Sequence, residues 1–154
     1  MIEHETLLTV PFHDADMMGV TWHGHYVRYL EIARCELLEQ VGYTYLDMYA
    51  SGFAWPVVDL KLRYARGCTF GDRLRIRVQV EETEFRLKLF YRIEQADTGE
   101  LLTKAWTTQV AVDAKTGEMI YPSPTALTEK MTAYAATLGT EPTTAGGAKK
   151  SVRP

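Results

Sequence analysis

Cysteine is scarce in this chain: two among 154 residues, and neither Cys35 nor Cys68 sits in a spacing that frames a disulfide. Both read as free thiols of a reducing compartment. No apolar run approaches the roughly 20 residues that cross a bilayer. The N-terminal run Met1-Ile2-Glu3-His4-Glu5-Thr6 carries acids where a secretory signal carries lysines. A cytoplasmic protein without a membrane span is the expectation. Metal-ligand motifs of the H-E-x-x-H kind are missing, and so is any nucleic-acid-binding motif. A net charge of −3 argues against a polyanion binder as a whole.

The charge is unevenly spread. Residues 61–92 hold nine of the 17 Lys and Arg against four acids, a local +5 that leaves −8 elsewhere. Such a field attracts a phosphorylated ligand or an acidic partner, although the wet faces of strands carry the same residues.

What is present is periodic. After a strand candidate from Glu5 to Phe12, the apolar residues Tyr26, Leu30, Ala33, Leu37 and Val41 recur at three- and four-residue steps. Arg28, Glu31, Arg34, Glu36 and Glu39 fill the gaps. The spacing predicts a helix over His25–Val41, buried on much of its circumference and closed by Gly42. Tyr43–Ser51 reads as one short helix before Gly52. The period then changes to two. Val58, Leu60, Leu62 and Tyr64 alternate with polar residues, as do Leu74–Val80 and Phe85–Leu89, and a last strand runs from about Leu101 to Asp113. Gly71-Asp72, Asp97-Thr98-Gly99 and Lys115-Thr116-Gly117 supply turns. A sheet with one dry face needs a cover, and one long helix is on offer, so a curved antiparallel sheet around that helix is predicted. A short helix over Thr125–Leu138 completes a single domain of residues 1–138, and residues 139–154 lack periodicity and read as a disordered tail.

From Phe12 to Tyr26 the chain reads F-H-D-A-D-M-M-G-V-T-W-H-G-H-Y. Asp14 and Asp16 precede Gly19, and His23 and Gly24 stand where the first helical turn begins. That turn offers unpaired N–H groups and the positive end of the helix dipole. A carboxylate facing such donors suits attack on a carbonyl whose oxygen becomes negative. Asp14 is expected to bond its own backbone, and His13 and His25 to be structural. A metal site built from these histidines and aspartates fails on geometry, because residues 23 and 25 at a helix start point about 200° apart. No metal is expected.

The motif, its position and the strand-helix-strand order resemble the hotdog-fold thioesterases, in particular the 4-hydroxybenzoyl-CoA thioesterase family, over roughly residues 5–135. Members show Asp-x-Asp-x-x-Gly-Val/Ile-x-aromatic-x-x-x-Tyr before a long helix, matched here by Asp14, Asp16, Gly19, Val20, Trp22 and Tyr26. Tyr64, Gly71-Asp72-Arg73-Leu74, Asp113, Thr116-Gly117 and Pro122 also look like the family. The resemblance implies an α+β hotdog fold, a curved antiparallel sheet of about five strands wrapped around one long central helix. It implies hydrolysis of an acyl- or aryl-CoA, or acyl-carrier-protein, thioester, with no cofactor beyond the coenzyme A of the substrate. Asp16 would then be nucleophile or general base, and His23 would orient the thioester or protonate the thiolate. The N–H groups of His23 and Gly24 would hold the oxyanion, with Gly19, Trp22 and Tyr26 beside the substrate. Arg63, Arg66, Arg86 and Lys88 are candidate contacts for coenzyme A or a carrier. A homodimer or homotetramer is implied, with the site between subunits. Phe12, Met17-Met18 and Gly67 depart from the family pattern and bear on the acyl group more than on the chemistry. Two other readings of the motif are a hotdog 3-hydroxyacyl-thioester dehydratase and a non-catalytic thioester- or carrier-binding module.

Overall fold

The computed structural model describes residues 2–138; the tail expected to be disordered lies outside them. In chain order the elements are β1 (Glu3–Thr9), α1 (His25–Val41), α2 (Tyr45–Ala50), β2 (Phe53–Ala54), β3 (Val57–Tyr64), β4 (Arg73–Glu82), β5 (Leu87–Gln95), β6 (Leu101–Gln109), β7 (Val112–Asp113) and α3 (Thr125–Thr137). The five long strands form one antiparallel sheet in the order β1-β4-β5-β6-β3, and β2 pairs with β7.

Several differences from the sequence reading have local causes. β1 stops at Thr9, ahead of Pro11, which has no N–H to give to a ladder, and Phe12–Asp14 instead form a 3₁₀ turn. Phe85 lies in the β4–β5 turn, where its N–H donates to Glu82 Oε2 (3.3 Å). The expected long last strand breaks at Val110–Ala111, both buried, and restarts as β7 in the small sheet. α1 does end at Gly42, which takes φ 86° and donates to the carbonyls of Leu38 and Glu39.

Leu74, Ile76 and Val78 of β4 and Leu87, Leu89, Tyr91 and Ile93 of β5 form the dry face of the sheet. Tyr29, Leu30, Ala33, Leu37 and Leu38 of α1 complete the core. The expectation of a sheet wrapped around one central helix is met only in part. α1 lies nearest β1 and β4, and α3 packs beside it, so two helices share the cover. β3 meets α1 at its Tyr64 end, where Tyr64 packs edge-on against Tyr26. Its alternating apolar residues were expected on a covered face, yet Val58 is 56% and Leu60 42% exposed. β3 is an edge strand whose first half, Val57 to Leu60, stays exposed. Arg34, predicted as a polar filler, is buried, with Nε donating to Tyr45 (2.7 Å) and Nη1 to Tyr91 (3.2 Å).

Candidate active site

The motif folds as a narrow hairpin laid against the start of α1. Gly19 N donates to the Asp16 carbonyl (2.9 Å) and Asp16 N to the Val20 carbonyl (2.8 Å), closing a tight turn in which Gly19 takes φ 84°. Asp16 Oδ1 accepts from the Met18 N–H (2.8 Å) and more distantly from that of Val20 (3.4 Å). The carboxylate is thus held through one oxygen and presents the other. Met17 and Met18 at the tip are almost wholly exposed. The hairpin base is tied down by Thr21 N donating to the Cys68 carbonyl (2.7 Å) and by a bridge from Val20 to Thr69.

At the helix start, no side chain caps Gly24. Among the described residues, none accepts a hydrogen bond from the N–H of His23 or Gly24. The Trp22 indole lies over Gly24 so closely that a Cβ there would come within 2.2 Å of it. Only glycine lets the ring cover the turn. His23 is exposed beside Trp22 and Tyr64, with ring centroids 5.1 and 6.4 Å away, and the Tyr64 hydroxyl donates to the His23 carbonyl (3.0 Å). The N-terminal turn is therefore open, framed by two aromatic rings, with its donors available to an anion.

Asp14 is the residue that sequence reasoning misplaced. Its side chain does not bond its own backbone. It is fully buried, and Oδ2 accepts from the Tyr29 hydroxyl (2.6 Å) and from Arg28 Nη2 (2.5 Å). Burial alone would raise this carboxyl, but the bonds from Tyr29 and Arg28 outweigh it and hold the group below its ordinary value. Burial and the Asp14 carboxylate in turn push the Tyr29 phenol up. Asp14 Oδ1 is buried without a hydrogen bond, and His13 Nε2 (3.7 Å) and His25 Nε2 (3.8 Å) stand just outside bonding distance. The hint in the sequence was the i, i+3 and i, i+4 spacing of His25, Arg28 and Tyr29 at the helix start.

The remaining candidates fall in separate places. Gly19 serves the turn, with nothing within 4 Å of where a Cβ would stand. Tyr26, expected beside the substrate, is instead buried, and its hydroxyl accepts from the Cys68 N–H (3.2 Å). The four expected basic contacts do not make one patch. Arg66 pairs with Glu100 (2.9 Å) and Arg86 with Glu82 (3.0 Å), while Lys88 stands opposite Glu82 across the β4–β5 pair. Neither Arg63 nor Lys88 forms an ion pair among the described residues, and Arg63 lies opposite Lys104, in line with Arg92 and Arg77 across the outer face of the sheet. An open cleft of about 480 Å³ runs along the hairpin, lined by Phe12, His13, Asp16, Met17, Thr69 and Phe70 among others.

Residues 10–137 match the model of the thioesterase-like superfamily. A Synechocystis sp. protein that carries the name of an esterase is 35% identical over 128 residues, 82% of this chain and 77% of that protein. Among solved structures, the DHNA-CoA thioesterase of Staphylococcus aureus superposes with a TM-score of 0.77 at 26% identity, over 90% of this chain and 95% of that one. The 1,4-dihydroxy-2-naphthoyl-CoA thioesterase of Synechocystis gives 0.76 at 20% identity, over 90% and 99%, a likeness of fold.

Proposed function

This chain belongs to the thioesterase-like superfamily, and from that premise we propose that it hydrolyses an acyl- or aryl-CoA thioester to the free acid and thiol. The observation that carries the reading is the open start of α1, where the N–H groups of His23 and Gly24 lack partners among the described residues. A thioester oxygen over that turn becomes the oxyanion of the tetrahedral transition state. Each such donor is worth roughly 3–4 kcal/mol where it has been removed from other enzymes. Asp16 supplies the carboxylate through its uncommitted oxygen, either attacking the acyl carbon or drawing a proton from water. His23, exposed beside the same turn, orients the thioester or protonates the thiolate.

A homodimer suits this reading. Among the described residues β3 leaves an unpaired edge with Val57, Val58 and Leu60 exposed, and a second copy would satisfy it. No bond or ion pair joins Asp16 to His23 within one chain, among the described residues, which favours a site completed by the second subunit. Arg63, which has no ion pair among the described residues, and its neighbour Lys104 favour a phosphate-bearing thiol half. Free Cys35 and Cys68 fit a reducing, cytoplasmic setting.

Thiol release from a panel of benzoyl-, butyryl- and palmitoyl-CoA, run with the wild type and Asp16→Asn, tests the reading. Turnover that falls about a hundredfold or more in the variant is expected. Failure of the wild type on every ester would overturn it, and formation of an enoyl product from a 3-hydroxyacyl-CoA would favour a dehydratase instead.

A further inference from the structure

Three histidines border the motif, and they differ in what their nitrogens have left to do. His25 Nδ1 lies 3.3 Å from Arg28 Nη2, and a guanidinium only donates, so Nδ1 is the acceptor and His25 carries its proton on Nε2, toward Asp14. His25 Nδ1 is thus taken by Arg28, while its Nε2 stays 3.8 Å from Asp14 Oδ1, outside bonding distance. His23 has no carboxylate behind it among the described residues. His13 alone combines three properties. Its Nε2 stands 3.7 Å from the buried Asp14 Oδ1, an oxygen with no hydrogen bond of its own. Its side chain is 81% exposed, and it lines the same cleft as Asp16. A small rotation of the ring closes the Asp14 contact, which fixes the proton on Nε2 and leaves Nδ1 as a free base in the cleft.

We propose that His13, backed by Asp14, is a further catalytic residue of this site: the base that accepts the proton of the attacking water and returns it to the departing sulfur. The inference rests on the thioesterase reading and refines it by relieving Asp16 of the proton-accepting role. The water oxygen bonds to the acyl carbon and its proton goes to His13 Nδ1. The C–S bond breaks with its electron pair on sulfur, and the proton on His13 passes to that thiolate, giving free acid and thiol. On this route Asp16 orients the water without attacking the acyl carbon and ends the cycle as the carboxylate it began. The groups facing His13 are Asp14, with His25 and Arg28 behind it, and Asp16 across the cleft. An imidazole is the side chain best matched to proton transfer near neutral pH, and positioned bases contribute about 10²–10⁴-fold.

The test compares wild type, His13→Ala, His13→Gln and Asp16→Asn on whichever CoA ester of the panel the wild type turns over. Since His13 is a surface side chain, both His13 variants should melt with the wild type. The expected result is a drop in kcat of about a hundredfold in each, with loss of a limb of the kcat/KM pH profile. Added imidazole should restore His13→Ala by about tenfold above its own background rate, measured with Asp16→Asn, and should not restore His13→Gln. A kcat for His13→Ala within about threefold of wild type, while Asp16→Asn is dead, overturns the inference and leaves the thioesterase reading standing. A loss with neither rescue nor a changed pH profile also overturns it, because His13 would then only shape the loop. No wild-type turnover removes both.

Discussion

Asp14 and Asp16 are two residues apart, and their surroundings have almost nothing in common. Asp14 sits in the 3₁₀ turn under α1, sealed from water, with Tyr29 and Arg28 on one oxygen. Asp16 sits on the hairpin, held by two backbone N–H groups and otherwise open to the cleft. The same side chain is a rivet in one place and, on the proposed function, a reagent in the other. Asp14 ends the 3₁₀ turn and Ala15 is extended (φ −81°, ψ 142°), so the chain leaves the helix after Asp14 and carries Asp16 out onto the hairpin. The pair teaches that an Asp-x-Asp motif need not mean two catalytic carboxylates.

Replacing each by alanine breaks the comparison most directly. Asp14→Ala leaves the Tyr29 hydroxyl buried without an acceptor and Arg28 without its partner, and burying one unsatisfied group costs about 1–3 kcal/mol. Arg28 is half-exposed and recovers hydration, so the expected loss is about 2–3 kcal/mol rather than the larger cost of a fully buried pair. Asp16→Ala loses only a turn bond and should cost about 1 kcal/mol or less. Urea denaturation of both variants measures the difference, and equal losses would show that Asp14 is not the anchor.

Acid sharpens the same contrast. The Asp14 pKa is lower when folded than its ordinary 3.8, so the folded state binds fewer protons than the unfolded chain just below that pH. Its stabilisation is complete above about pH 5 and is lost as pH falls through the folded value. Asp47 and Asp113 are lowered too, each first by backbone hydrogen bonds, from Thr44 and from Thr116, so whole-protein acid unfolding mixes the three. The stability gap between wild type and Asp14→Asn isolates one of them. That gap should close as pH falls from about 5 toward 2, and a gap that stays constant would place its origin in packing.

Much of the fold was legible because local rules and tertiary packing agree. α1 has the predicted bounds, since the three- and four-residue spacing and a left-handed Gly42 both mark them. Strand alternation located β4 and β5, whose apolar residues reach the core except Phe90, which packs on Trp106 on the other face. The same alternation in β3 misled about burial, because period two says which residues share a face and not whether anything covers it. The sheet order decides that, and it puts β3 at an edge. Asp16 and the open helix start were readable from the motif. The Asp14 knot was not, because Arg28 and Tyr29 belong to different faces of a helical wheel and only the approach angle of the loop brings both to one carboxylate.

Gly19 and Gly24 extend the contrast to the backbone, with smaller effects. At Gly24 the limit is space: an added Cβ meets the far edge of the Trp22 indole, which is half-exposed and free to swing away. Gly24→Ala should therefore change stability by no more than about 1 kcal/mol while uncovering the oxyanion turn. Activity should fall by about tenfold or more, the scale of displacing a bound carbonyl by a fraction of an ångström. At Gly19 the limit is conformation. Nothing crowds the position, but φ 84° is unfavourable for any residue with a Cβ, by about 1 kcal/mol for alanine. Asparagine tolerates that region better, so Gly19→Asn should recover much of what Gly19→Ala loses. The order alanine below asparagine below glycine, in melting temperature and in kcat together, would tie the reach of Asp16 to the shape of its turn. A Gly19→Ala variant that melts lower yet keeps full kcat would show instead that Asp16 finds the acyl carbon without help from the hairpin.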